Sequence, residues 1–128
     1  MTRQYAKYMG IAIVAIGVVG LLMGEQPILG FLNIDIAEDL VHLASGGAMA
    51  FVAFTHRDNH VLRMIVGVIG VTYLAVGVIG FLIPHVFGLL PHGYSTFDNV
   101  LHLVLGVMGI LVAWGREATE GPNLSSRP

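Results

Sequence analysis

The sequence contains no cysteine and few charged residues, and each absence excludes whole classes of protein. Without cysteine there is no disulfide framework, no thiolate metal site and no cysteine nucleophile. Charged residues make up 11% of the 128 residues, whereas soluble domains carry about 25%. Hydrophobic residues account for 55%, and the mean hydropathy is +0.81. The chain therefore lacks the polar surface of a soluble domain and is long enough to cross a membrane several times.

Long stretches without charged residues predict four transmembrane helices. The longest stretch is interrupted by Pro84 and Pro91, so its helical part is expected to end at Ile83. About 20 helical residues cross the hydrocarbon core of a bilayer, and open strands cannot do so. The four predicted helices form a single transmembrane domain, 1–120, followed by a flexible tail, 121–128. We predict the spans at about 8–24, 37–55, 63–83 and 96–115.

All basic residues fall on one side of the predicted spans. They are Arg3, Lys7, Arg57, Arg63, Arg116 and Arg127. The loops between the first and second spans and between the third and fourth carry no Lys or Arg, and acidic residues lie in or next to them: Glu25, Asp35, Glu38, Asp39 and Asp98. Loops rich in Lys and Arg stay in the cytoplasm. The sequence therefore predicts a multi-pass protein of a bacterial inner membrane, or of a thylakoid membrane if the source is cyanobacterial, with both termini in the cytoplasm.

The chain contains a tandem repeat with an offset of 60 residues. The segment Asp39-Leu-Val-His42-Leu-Ala-Ser-Gly46 corresponds to Asn99-Val-Leu-His102-Leu-Val-Leu-Gly106. The repeats, about 8–56 and 68–116, hold two spans each, so the halves share one topology and are related by an axis along the membrane normal. The predicted fold class is all-α: a polytopic membrane four-helix bundle made of two tandem two-helix repeats with parallel pseudo-two-fold symmetry.

Three segments carry a resemblance to a known family. They are Val86-Phe-Gly-Leu-Leu-Pro91, Asp98-Asn-Val-Leu-His102 and Asp39-Leu-Val-His42. In these segments the chain resembles small bacterial four-helix membrane proteins of unknown function, common in actinobacteria and cyanobacteria. The resemblance extends from Tyr5 to Gly115, although the family commonly has Asn where this chain has Asp39. It implies a four-helix membrane fold and attaches no activity to it.

His42 and His102 are the leading candidate site residues. Together with Asp39 and Asn99 they form a polar pair in each half, near the start of a span. Residues three or four apart lie on one face of a helix, so we interpret each pair as facing the bundle interior. The simplest interpretation is a structural polar pair, in which each histidine bonds to Asp39 or Asn99 of the other half.

A cofactor site is the alternative interpretation of the same residues. Gly46 and Gly106 lie one turn below His42 and His102. They would leave room for a flat macrocycle, so a haem- or chlorophyll-type tetrapyrrole is the alternative cofactor. Asp39 would then orient an imidazole. Otherwise no cofactor is predicted.

Other polar residues near the outward loops have simpler interpretations. His85 and His92 are weak candidates for a metal site, and no metal is predicted overall. An outward-facing metal or pH sensor is a second alternative function, because histidine titrates near pH 6.5. The segments Asp35-Ile-Ala-Glu38 and Ser95-Thr-Phe-Asp98 have the spacing of a capping box, so their acids are interpreted as helix starts.

Glycines at regular spacing predict close helix packing, since small residues let helices approach closely in lipid. No residue pattern supports an enzyme. The leading interpretation is a non-catalytic integral membrane protein, a structural or accessory subunit. Its partners would be the lipid bilayer and either further copies of itself or a larger membrane complex, with no nucleic acid. The glycines predicted to pack are Gly10, Gly17, Gly20, Gly24, Gly70, Gly77 and Gly80.

Overall fold

The computed structural model describes residues 1–29 and 31–119, and four long helices dominate it. They are α1 (Thr2–Met23), α2 (Ile36–Thr55), α3 (Asn59–Leu82) and α4 (Thr96–Thr119). Each contains a stretch that is long and apolar enough to cross a membrane. The predicted all-α, four-helix class is confirmed. The predicted tail, 121–128, lies outside the described residues, as do Arg127 and the side chain of Arg116.

The first helix begins well before the predicted first span. Arg3 and Lys7 belong to α1 because their side chains find partners at the end of α2. The Arg3 guanidinium donates to the carbonyl of Ala53 at 2.7 Å, and Lys7 Nζ lies 4.7 Å from the ring centre of Phe54. A prediction based on uncharged residues therefore shortens the helix at that end.

A short antiparallel hairpin joins α1 to α2, and the sequence does not predict it. Its strands are β1 (Gln26–Ile28) and β2 (Leu32–Ile34), with Gln26 opposite Ile34. Strands of three residues are too short to show a period-two pattern. The α3–α4 connection contains a 3-10 turn, Val86–Gly88. We call the end of the bundle that carries these two connections the upper end, and the opposite end the lower end.

The helices form two closely packed pairs, α1 with α2 and α3 with α4, and fewer contacts join the pairs to each other. Glycine makes the close approach possible. A Cβ atom added at Gly10 would lie 2.7 Å from the backbone nitrogen of Ala50, and one at Gly70 would lie 2.8 Å from that of Ile110. Any larger side chain at these positions would thus collide with the neighbouring backbone. Small residues allow this close approach between helices in lipid.

Most of the glycines predicted to pack lie against the partner helix of their own pair. Gly24 differs: it ends α1 with a φ of 76°, and no atom of the described residues lies within 4 Å of a Cβ added to it. Because the others are occupied within the chain, they do not indicate an interface with another subunit. The role as an accessory subunit therefore stays a prediction. The glycines in contact are Gly10, Gly17, Gly20, Gly70, Gly77 and Gly80.

Buried carboxylates tie the two upper connections together. Asp35 is fully buried, and its carboxylate accepts hydrogen bonds from the backbone nitrogens of His92 and Gly93, each at 3.1 Å. Asp98 accepts a hydrogen bond from the backbone nitrogen of Asn33 at 3.3 Å. Each carboxylate stands at the start of one helix and binds the connection of the other pair. The network therefore holds the starts of α2 and α4 together.

The capping box predicted at the start of α4 is confirmed, and the one predicted at α2 is wrong. The Ser95 nitrogen donates to the Asp98 carboxylate at 2.9 Å, and the Asp98 nitrogen donates to the Ser95 hydroxyl at 3.1 Å. The Asp35 side chain makes no capping bond to α2, because it binds the other connection instead. Glu38 therefore does not act as the second member of a cap.

Replacing Asp35 by alanine is expected to loosen the upper end. The change leaves two backbone N–H groups, those of His92 and Gly93, without their acceptor, and each unsatisfied group costs about 1–3 kcal/mol. Hydrogen–deuterium exchange at these two amides should accelerate. Asp58→Ala, which removes an exposed cap of α3, is the control and should leave both amides unchanged. Unchanged exchange in Asp35→Ala would contradict the role of this carboxylate.

Candidate metal centre

Two histidines and one glutamate meet inside the upper end of the bundle. Glu38 and His42 lie one turn apart on α2, and His102 lies at the matching depth on α4. Residues four apart on a helix point the same way, so both α2 side chains face α4. The helix starts are held by the Asp35 and Asp98 network, which positions the three side chains.

Both imidazoles approach the same carboxylate oxygen. His102 Nε2 lies 3.3 Å from Glu38 Oε1, and His42 Nε2 lies 4.0 Å from it. The potential ligand atoms of the three residues all lie within 4.8 Å of one another. Glu38 is 8% exposed and His102 is 4% exposed. The cluster is thus compact, with Glu38 and His102 buried and His42 partly buried.

Several polar atoms of the cluster lack a partner. Glu38 Oε2, His42 Nδ1 and His102 Nδ1 are buried and have no hydrogen-bond partner within the part of the chain that the structure describes. Buried polar side-chain atoms in proteins are nearly always satisfied by protein, water or an ion. Each of the three side chains in this cluster thus keeps one buried polar atom without a partner.

A cavity of about 160 Å³ adjoins the cluster. Tyr73 lies beside both imidazoles, with ring centres 6.2 Å from His42 and 5.5 Å from His102, and the Tyr94 ring stands edge-on to His102 at 5.2 Å. Burial raises the pKa of the Tyr94 hydroxyl above its usual range, so the hydroxyl keeps its proton. The cavity has space for a further ligand next to the three side chains.

Two imidazoles and a carboxylate are a common donor set for transition metals. Zinc, copper and iron accept this combination of nitrogen and oxygen ligands. Ligand atoms about 2.1 Å from one ion lie about 3.0–3.4 Å from each other. The distance from Glu38 to His102 already falls in this range, and the distance from Glu38 to His42 requires only a small inward movement. The three residues therefore offer three ligands for one ion, and a tetrahedral ion so held has one coordination position left for another ligand.

The structure brings His42 and His102 together but not through Asp39 and Asn99. The Asp39 carboxylate lies against Gly20 of α1, and Asn99 lies against Gly80 of α3. The predicted bonds from histidine to Asp39 or Asn99 are therefore wrong. Helix geometry gives the reason.

With about 100° per residue, Glu38 and Asp39 lie on opposite sides of the direction in which His42 points, by about 40° and 60°. Glu38 lies on the side that faces the bundle interior, where it approaches His42 and His102. The side toward α1 is that of Asp39. A spacing of three or four residues identifies a shared face and does not decide between these two acids.

The geometry does not fit a tetrapyrrole at these histidines. Gly46 packs against α1, where an added Cβ would lie 2.8 Å from the Gly10 carbonyl oxygen, and Gly106 packs against the backbone of Leu74 on α3. Neither glycine opens space beside the imidazoles. The cavity of about 160 Å³ is close in size to the cavity of about 150 Å³ that holds a single benzene ring, and a macrocycle is several times larger.

The other predicted metal candidates bind elsewhere. His85 Nδ1 lies 3.0 Å from the Leu90 carbonyl oxygen, and His92 Nδ1 lies 3.1 Å from Asp35 Oδ1. Both side chains thus stabilise the upper connections. The residue that sequence reasoning missed is Glu38, which was interpreted as a cap. The available signal was the four-residue spacing between Glu38 and His42.

Comparison with protein-family models, with curated protein sequences and with solved structures found no match. The resemblance to small bacterial four-helix membrane proteins therefore stays a prediction.

Proposed function

We propose that the protein is an integral membrane protein that binds one divalent transition-metal ion at Glu38, His42 and His102. The observation that carries the proposal is the approach of both histidine Nε2 atoms to Glu38 Oε1 in a buried position, at 3.3 and 4.0 Å. Ionisable side chains within a membrane are costly and are usually retained for function. Three of them from two helices, pointing at one place, fit an ion better than a purely structural contact.

The surface of the bundle supports insertion into a membrane. Large apolar side chains are exposed along all four helices, among them Val18, Leu22, Phe51, Val71 and Leu111. Lipid solvates such a surface, whereas soluble proteins rarely expose large continuous apolar areas. His42 is about 9 Å from the start of α2 at 1.5 Å per residue, so the metal centre would lie in the upper half of the bilayer.

Paired contacts support the tandem repeat. Arg3 donates to the Ala53 carbonyl, and Arg63 donates to the Ala113 carbonyl at 2.5 Å, and these two pairs are separated by the same 60 residues. At the upper end the contacts of Gly20 with Asp39 and of Gly80 with Asn99 are related in the same way. Each repeat thus contributes one histidine to the centre.

The carboxylate breaks this symmetry. The residue that corresponds to Glu38 in the second repeat is Asp98, and it caps α4 and binds Asn33. Only the first repeat therefore supplies an acid to the centre. A single ion, shared by both repeats, is the stoichiometry that this arrangement supports.

The positions of the basic residues support cytoplasmic termini, and single cysteine variants test this orientation. Because the chain has no cysteine, one introduced thiol reports one position. A membrane-impermeant maleimide added to intact cells is expected to label Glu25→Cys at the upper end. Asp58→Cys at the lower end should be labelled only after the membrane is permeabilised. The reverse pattern would contradict the orientation.

Metal titration of the protein in nanodiscs tests the proposed function. Calorimetry with Zn²⁺ or Co²⁺ should give close to one bound ion per chain. The double variant His42→Ala, His102→Ala should bind none. His56→Ala, His60→Ala, which removes two exposed histidines at the lower end, is the matched control and should bind like the wild type. A wild type that binds no more ion than the first double variant would overturn the proposal.

A further inference from the structure

An apolar groove lies next to the cavity beside the metal centre. The groove has a volume of about 280 Å³ and shares Ile69 with the cavity of about 160 Å³. Both lie where α2 faces α3, which is the side of the bundle where the two helix pairs make fewer contacts. The remaining lining of the groove is entirely apolar or small: Ala48, Met64, Ile65 and Val68.

The cavity reaches the outer surface of the bundle between α2 and α3, the position of the lipid. Val41 and Thr72 line the cavity and are exposed on the surface of α2 and α3. From Val76 at the cavity to Met64 at the groove, α3 rises about 18 Å at 1.5 Å per residue. Tyr94 of the α3–α4 connection lines the cavity at the upper end. A molecule dissolved in the bilayer could thus reach the cavity between α2 and α3.

The lining determines the chemistry of the head group. Glu38, the two histidines, Tyr73 and Tyr94 line the cavity and bring carboxylate, imidazole and hydroxyl groups to it. Among the described residues no Lys or Arg lines it, so in the absence of a bound ion an anionic phosphate has no countercharge there. A neutral head with hydroxyl or carbonyl oxygens matches these donors and acceptors.

The size and the aromatic walls favour one flat ring. A cavity of about 150 Å³ holds one benzene-sized ring, and the cavity measures about 160 Å³. The Tyr73 ring and the two imidazoles offer faces and edges against which a ring can pack. The polar cavity beside the wholly apolar groove suits a ring that carries a hydrocarbon chain.

We infer that the cavity and the groove together bind a lipid-soluble benzoquinol or benzoquinone, with its ring beside Glu38, His42 and His102 and its chain in the groove between α2 and α3. The inference rests on the proposed function only in that the four helices span a membrane. With an ion bound at the three side chains, a ring oxygen in the cavity would occupy the open coordination position.

Photolabelling in phosphatidylcholine nanodiscs tests this inference. The probe is an azido-benzoquinone with a decyl chain, and the labelled peptides are mapped by mass spectrometry. Label is expected within 41–48 of α2 and 69–76 of α3, and excess decyl-benzoquinone should remove it. Label that excess decyl-benzoquinone does not displace, or that is spread over all four helices, would overturn the inference.

A matched pair of variants tests the groove. Ala48→Phe fills the groove and should lower the affinity for the probe. The labelling that excess decyl-benzoquinone displaces should therefore fall by about tenfold, which corresponds to about 1.4 kcal/mol of binding free energy. Ala44→Phe places the same side chain one turn away at an exposed position of α2, and its labelling should match the wild type. Equal labelling of the two variants would also overturn the inference.

Zinc titration of the same preparations separates the two proposals. Ala48→Phe should bind zinc like the wild type, because Ala48 lies more than one turn from His42. Zinc binding without specific label would contradict the quinone site and support the metal centre. Specific label without zinc binding would remove the metal centre and leave the quinone site.

Discussion

Replacing Glu38 by glutamine is expected to weaken zinc binding by at least about 100-fold. Removing a residue that only orients a metal ligand already costs about 10–100-fold in affinity, and Glu38 supplies the oxygen that both imidazoles approach. Glutamine has nearly the same volume and removes the charge, so the variant is expected to fold. Measuring the zinc affinities of the wild type and the variant by competition with a chelator gives the ratio of the two affinities.

The control for this variant is Glu25→Gln. Glu25 is exposed in the α1–α2 connection, so the variant makes the same chemical change without touching the cluster. It should bind zinc like the wild type. If Glu38→Gln also keeps the affinity of the wild type, Glu38 is not a ligand and the centre as described does not exist.

Adding one methyl group at Gly46 is expected to destabilise the bundle, whereas adding it at Gly47 is not. A Cβ atom at Gly46 would lie 2.8 Å from both the Gly10 carbonyl oxygen and the Val14 nitrogen. These are backbone atoms of α1, so the helices must separate to admit it. Overpacking of this kind costs about 1–3 kcal/mol.

The neighbouring Gly47 provides the control. In the part of the chain that the structure describes, nothing lies within 4 Å of a Cβ added there, and alanine favours a helix over glycine by up to about 1 kcal/mol. Gly47→Ala should therefore be neutral or stabilising. Unfolding by SDS in mixed micelles gives the free energies of both variants, and equal stability of the two would contradict the packing of α1 against α2.

The number of helices and the fold class could be predicted from the sequence because both depend on local properties. Length and apolarity define a spanning helix, and Pro84 marks the end of α3 within two residues. The start of α1 could not be predicted in the same way, since the charged Arg3 lies within the helix and bonds to the distant carbonyls of Ala53 and His56. The hairpin of β1 and β2 was missed because it depends on pairing rather than on pattern.

The candidate site could be predicted only in part. The repeat identified His42 and His102, and they lie together in the structure. The roles of the acids depended on tertiary partners that no local pattern shows. Asp98 acts as a cap, as its spacing predicts, while Glu38 at the corresponding position of the first repeat faces the histidines instead.

The difference between these two acids arises at the residue three positions earlier. Ser95 completes the cap with Asp98, whereas Asp35 binds His92 and Gly93 of the other connection and leaves Glu38 without a capping partner. The two helix starts have the same spacing of polar residues. Their acids nevertheless differ in role, because Asp35 bonds to the connection of the other half.

X-ray absorption at the zinc edge of the loaded protein tests the central claim most directly. If both halves converge on one ion, the spectrum should show two imidazole nitrogens and at least one oxygen at about 2.0–2.2 Å, with the outer scattering that imidazole rings produce. A shell of oxygen atoms alone, without imidazole scattering, would mean that the ion binds elsewhere and would contradict a metal centre at Glu38, His42 and His102.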